Sequence, residues 1–181
     1  RSGGIIIMKQ RIVLLIAFAL ILQNINAQEA AKDNHWSNTV ETRFGYNIKD
    51  MHHLGFMEMT ASPGYKFNNK FSLRLPVELS VGMFNHSTTK NYDVLGTLGL
   101  NLGYNIVKSK NYRLEMNLSS GSTYFKSDWS YLYGDATLRF GFAGLGLVNS
   151  YMGLGVKYYH PYQSTMSDIV ALCFTFGVWM F

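Results

Sequence analysis

From residue 36 onward the chain alternates apolar and polar positions with a period of two, the spacing that sends successive side chains to opposite faces of a β-strand. In the first such segment Val40, Thr42, Phe44 and Tyr46 share one phase, while Glu41 and Arg43 share the other. The third sets Arg74 and Glu78 against Leu73, Leu75, Val77, Leu79 and Val81, and the fifth sets Arg113, Glu115 and Asn117 against Leu114, Met116 and Leu118. The sixth opposes Asp135 and Arg139 to Ala136, Leu138 and Phe140. Glu58 and Lys66 share a phase in the second segment, and Lys157 belongs to the polar phase of the seventh. The fourth carries the same pattern without charge, with Leu98, Leu100, Leu102, Tyr104 and Ile106 opposite Thr97, Gly99, Asn101, Gly103 and Asn105. Eight segments result, at 36–48, 54–67, 71–84, 93–107, 111–124, 132–142, 147–159 and 168–181.

The connections alternate long and short, a rhythm that calls for an even number of up-and-down strands with tight turns on one side and longer loops on the other. A soluble antiparallel sandwich turns its polar face to water. Here charges keep to one face of each strand while the other is continuously apolar, which fits a closed sheet whose outer wall meets lipid. The expected fold is therefore all-β, an eight-stranded antiparallel transmembrane up-and-down β-barrel over 36–181. Its inward set would be Glu41, Arg43, Glu58, Lys66, Arg74, Glu78, Arg113, Glu115, Asp135, Arg139 and Lys157. Eight strands enclose a lumen that side chains can fill. Opposite charges taken from water there must pair, Arg74 with Glu78 for instance, because an unpaired one costs several kcal/mol. The expected lumen is a charge plug.

Aromatic rings are expected in two interfacial belts. One, at the short-turn end, comprises Trp36, Tyr65, Phe67, Phe71, Tyr104, Tyr112, Phe140, Phe142, Trp179 and Phe181. The other comprises Tyr46, Phe84, Tyr92, Phe125, Trp129, Tyr131, Tyr158, Tyr159 and Tyr162. Pro63 and Pro76 fall inside strands, where a missing amide donor predicts bulges or kinks. The last strand has two competing phases. With Trp179 and Phe181 outward, Gly177, Thr175 and Cys173 also face lipid. The opposite phase turns out the more apolar Leu172, Phe174, Phe176, Val178 and Met180, and a bulge near Gly177 would reconcile the two.

Composition supports strands over helices: Gly is frequent at 17, Pro rare at 3, and Tyr and Phe contribute 12 each. After Leu22 no apolar run approaches the roughly 20 residues of a membrane helix. The N-terminus reads as an address instead. From Met8 a basic MKQR precedes the apolar stretch 12–22 and then QNINA, the layout of a secretory signal with cleavage expected after Ala27. Residues 1–27 are thus read as upstream residues plus signal, 28–35 as a periplasmic lead-in and 36–181 as the barrel. Arg1, Lys9 and Arg11 leave with the signal, taking three positive charges from a formal net of +5, so nothing favours a nucleic-acid partner. The single Cys173 excludes an intramolecular disulfide.

The closing run 169–181 resembles the terminal strand of bacterial outer-membrane β-barrels, in which a final Phe preceded by alternating aromatic or apolar residues is the signal for the barrel-assembly machinery. Trp179 and Phe181 carry that likeness. In architecture the whole mature chain resembles the small OmpA- and OmpX-type barrels. The resemblance implies signal-directed export to the bacterial outer membrane, insertion by the barrel-assembly machinery, and outer-membrane lipid and lipopolysaccharide as surroundings. It names no extracellular ligand.

Candidate chemistry is confined to the expected outer rim. His52, His53, His86 and His160 fall in or beside outer loops, and clustered imidazoles are potential metal ligands. Eight-stranded barrels that modify lipid A use a His, a Ser and an acidic partner near the outer leaflet, and His160, Ser164 and Asp168 are the residues here that would serve such an acyl hydrolase or acyltransferase. Their spacing matches no known motif of those enzymes. The leading expectation is a non-enzymatic barrel of structural, adhesive or ligand-contact role, with no cofactor.

Overall fold

The computed structural model describes residues 35–48, 55–83, 92–109, 111–124, 130–142, 148–163 and 167–180. The expected signal, the loop histidines His52, His53 and His86, and Ser164 and Phe181 lie outside the described residues. Ten strand segments form one sheet: β1 Asn38–Asn47, β2 Gly55–Ser62, β3 Gly64–Lys66, β4 Phe71–Arg74, β5 Val77–Met83, β6 Tyr92–Lys108, β7 Tyr112–Thr123, β8 Tyr131–Phe142, β9 Val148–Pro161 and β10 Ile169–Met180. β2 with β3, and β4 with β5, are single staves interrupted at proline, so the sheet has eight antiparallel staves. β1 pairs β10 from Asn38↔Met180 to Asn47↔Ala171, which closes the sheet into a barrel with no free edge.

The two interruptions lie beside each other. Pro63 and the pair Leu75–Pro76 occupy the same level of adjacent staves, so the lost proline donors coincide rather than breaking the ladder at two heights. Leu75 N donates to Pro63 O at 2.8 Å and Gly99 N to Pro76 O at 3.0 Å. Register is unchanged across the gap, with Ala61↔Val77 on one side and Gly64↔Arg74 on the other. The prolines therefore interrupt the strands without bulging them. The sheet's register shift lies instead in β6 between Asn105 and Val107, leaving Ile106 and Val107 both exposed.

Turn chemistry marks one end of the barrel. Asn68 Oδ1 accepts from both Lys70 N and Phe71 N at 2.8 Å, a side chain substituting for backbone in a tight turn. Ser109 N donates to Tyr112 O at 2.8 Å in the next short connection. Ser37 and Met180 lie at this same end, which is the short-turn end.

The outer wall is apolar. Phe44, Met57, Leu98, Leu100, Leu118, Leu138, Leu154 and Phe176 are among the large hydrophobic side chains left exposed. The interior is the polar face. Strand β10 settles its phase without any bulge, with Leu172, Phe174 and Phe176 outward and Cys173, Thr175 and Trp179 buried within. Trp179 is thus a lumen residue and not a member of the rim belt. Tyr131 and Tyr159 are likewise inside. Each sits an even number of residues from an inward charge, Asp135 or Lys157, and strand periodicity carries it to the same face. Trp36, Tyr65, Phe67, Phe71 and Tyr112 do lie exposed at one end, and Tyr46, Tyr158 and Tyr162 at the other.

The lumen accommodates these rings because glycines face them. A side chain at Gly45 would strike the Phe56 ring, at Gly141 that of Trp179, at Gly177 that of Tyr151, and at Gly121 that of Tyr133. In three of these pairs the partner sits on the adjoining strand, directly opposite in register: Gly45↔Phe56, Gly177↔Tyr151 and Gly121↔Tyr133. In-strand glycine here provides the space that an inward aromatic fills.

Candidate functional site: the lumen charge network

Five bases, Arg43, Arg74, Arg113, Arg139 and Lys157, and five acids, Glu41, Glu58, Glu78, Glu115 and Asp135, are buried inside the barrel. Each was delivered there by the two-residue period of its own strand; which partner it meets depends on closure. Lys157 Nζ lies 2.8 Å from both Glu58 Oε1 and Glu78 Oε2. Its ammonium also stands 4.0 Å from the centre of the Tyr133 ring. Tyr159 donates to Glu58 at 3.1 Å and Thr97 to Glu78 at 2.8 Å, which satisfies further carboxylate lone pairs.

Arg43 joins this group to the next. It contacts Asp135 at 2.6 Å, Glu41 at 3.0 Å and Glu58 at 3.8 Å. Glu41 accepts from Arg139 at 2.7 Å and from Tyr151 at 2.7 Å. Arg139 in turn reaches Glu115 at 3.3 Å. Glu115 is the hub of the short-turn half, held by Arg74 in a two-bond fork at 2.8 and 3.0 Å and by Arg113 as well. All ten charges thus belong to one connected chain of ion pairs, running from Lys157 through Arg43, Glu41 and Arg139 to Glu115.

Arg74 and Glu78 do not pair. Four residues along a strand span about 13 Å, so shared phase within one stave places two side chains on the same wall but out of reach of each other. Arg74 instead crosses to Glu115, and Glu78 to Lys157. Lys66 is only half-buried, in the short segment β3 at the short-turn mouth.

The uncharged part of the lumen completes the network, and the inward phase of Asn101, Asn105 and Asn117 was legible in the alternation of their strands. Asn101 and Asn117 accept from Arg74 at 3.1 and 2.9 Å, Asn117 also accepts from Arg139 at 2.9 Å, and Asn105 accepts from Arg113 at 2.5 Å. Sequence reasoning missed Tyr133 and Tyr151, which line the same space and share the phase of the charges on their strands, the signal that was available. At the long-connection end Phe56, Leu95, Tyr131, Tyr133, Tyr159 and Ile169 form an apolar cluster over the ion pairs.

Outside the lumen, His160 and Asp168 meet on the outer wall. His160 Nδ1 lies 2.7 Å from Asp168 Oδ1, and Tyr158 donates to Asp168 Oδ2 at 2.5 Å. Both His160 and Asp168 are about half exposed. Among the described residues no group of three or more His, Cys, Asp or Glu is arranged to hold a metal.

An apolar outer wall around a paired, charged interior, closed by eight strands, is the architecture of small outer-membrane barrels. No family model matches the chain, and no curated protein matches it. Among solved structures, the crystal structure of Neisserial surface protein A (NspA) superposes over 81% of this chain and 97% of its own, with a TM-score of 0.51 and 12% identity. The solution NMR structure of the de novo designed TMB2.3 covers 81% of this chain and 96% of its own, with a TM-score of 0.41 and 14% identity. The likeness to the neisserial protein is one of fold.

Proposed function

We propose that this protein is an integral outer-membrane barrel, exported by its N-terminal signal, that serves a structural or surface-contact role and does not pass solutes. The observation that supports this reading is the inversion of polarity: exposed leucines, phenylalanines and methionines outside, and ten mutually paired charges inside. In water the arrangement would be costly on both faces, whereas in lipid the outer face is solvated and the inner one is self-satisfied. Lipid and lipopolysaccharide would surround the wall, the terminal strand would engage the barrel-assembly machinery, and the longer connections would offer the contact surface for an adhesive or ligand-binding role.

Eight strands enclose a lumen that side chains can fill, so the ion pairs and the apolar cluster above them would act as a plug. Purified, folded protein in planar lipid bilayers is expected to give no stable single-channel steps. Large, steady currents from the wild type would overturn the plug and put a pore in its place.

A further inference from the structure

Strands β9, β10 and β1 carry a hollow on the outer wall, astride the seam where the barrel closes. Its volume is about 470 Å³, within the roughly 300–1,000 Å³ of small-ligand sites. Register accounts for it. Val40, Val178 and Ser150 stand side by side in one outward row, and Thr42, Phe176 and Met152 form the next outward row toward the long connections. The first row is short-chained, whereas Phe176 and Met152 stand about half exposed above the wall. Between the rows Glu41 and Tyr151 turn their side chains into the lumen and Gly177 has none, so backbone floors the hollow.

What fills the hollow follows from its size and lining; that the wall faces lipid is the reading proposed above, on which this inference rests. Nine residues line it. A stable protein interface takes roughly 20–30 residues from each side. A two-fold pair of barrels meeting here would also set hollow against hollow and leave a void between them. A single hydrocarbon chain fits instead. In the hollow it touches Val40 and Val178 on one side, Phe176 and Met152 on the other and backbone beneath, whereas on a smooth wall it touches protein from one side only. Within lipid, where burial from water offers nothing, such added van der Waals contact is what favours one position over another. The short-chained row lies nearer the short turns, so Ser150 places a hydroxyl on the side from which the ester end of a lipid in that leaflet would enter.

We infer that this hollow holds one acyl chain of a glycerophospholipid from the leaflet at the short-turn side, bracing the seam between β1 and β10 from outside.

The test refolds the protein into vesicles of phosphatidylethanolamine and phosphatidylglycerol that contain a phosphatidylcholine with a diazirine in one acyl chain. After irradiation and digestion, labelling is expected to concentrate on the β1, β9 and β10 peptides around Val40, Ser150 and Val178. Labelling spread evenly round the wall would overturn the site and leave the membrane location standing, whereas a wall that takes no label would overturn both. Native mass spectrometry of the barrel released from the same vesicles in a mild nonionic detergent is expected to show a single retained phospholipid. That lipid should be lost from Ser150→Phe/Val178→Phe, which fills the hollow. It should be kept by Leu100→Phe/Leu138→Phe, at half-exposed outward positions on other staves, with gel migration before and after boiling checking that each variant folds. Equal lipid retention in all three proteins, or a dimer that the filling variant dissolves, would overturn the inference. The labelling map needs the wild type alone, so a variant that fails to fold leaves the test intact.

Discussion

Arg43 on the first stave donates to Asp135 on the sixth at 2.6 Å, although 92 residues separate them along the chain. This pair spans the lumen, and with Glu41 and Glu58 on the same guanidinium it ties opposite walls together. Because each member is taken from water, its worth lies in being complete: losing one partner strands the other in a low-dielectric interior.

That asymmetry is sharpest at Lys157, which neutralises two carboxylates at once. Lys157→Met is expected to destabilise the folded barrel by about 3–5 kcal/mol. Replacing all three charges, as Lys157→Met with Glu58→Gln and Glu78→Gln, should recover most of the loss. Equilibrium unfolding in urea from lipid vesicles, followed by tryptophan fluorescence, measures both. Equal stability of wild type and Lys157→Met would contradict the buried network.

The aromatic slots make a packing prediction. Gly177→Ala places a methyl group against the Tyr151 ring, and Gly141→Ala one against Trp179. Each is expected to cost about 1–3 kcal/mol by overpacking. Combining Gly141→Ala with Trp179→Leu should cost less than the two single changes together, a coupling that a double-mutant cycle reads directly.

Cys173 faces the lumen and is 1% exposed. Its thiol should react with maleimide in the folded protein roughly a hundredfold or more slower than in the unfolded chain, since the barrel must open first. Rapid labelling without unfolding would contradict the observed phase of β10.

Orientation can be read in a Cys173→Ser background. A cysteine at Gln163 should be labelled by an impermeant reagent on intact cells, and so should one at Lys49, Lys90 or Lys126 in the remaining long connections. One at Asn69, in a short turn, should be labelled only after the envelope is broken. Folded protein should migrate ahead of boiled protein on a gel.

The rim histidines supply the last expectation. Replacing His52, His53, His86 and His160 together by Ala should leave folding, lipid A acylation and metal content unchanged, checked by gel migration, mass spectrometry of lipid A and elemental analysis. Loss of an acyl change upon replacing His160 alone would instead give the His160–Asp168 pair a catalytic role.

Alternation is a local property, so the sequence by itself determined the eight staves, nearly all their boundaries, and which face of each carries charge. Glu41 and Arg43, or Asp135 and Arg139, go inward because a pleated strand leaves them no other choice once their neighbours are apolar. The same rule carries Tyr131 and Tyr159 into the lumen, although their aromatic character, weighed above their phase, places them in the expected rim belt. In β10 both faces are apolar enough for periodicity to be silent, and closure against β1 turned Trp179 inward. Partner choice was likewise beyond the sequence. Arg74 meets Glu115, 41 residues away, rather than Glu78 on its own strand. Such a contact is set by stagger and closure, which fix the height of each stave against those across the lumen, and no single strand encodes that height.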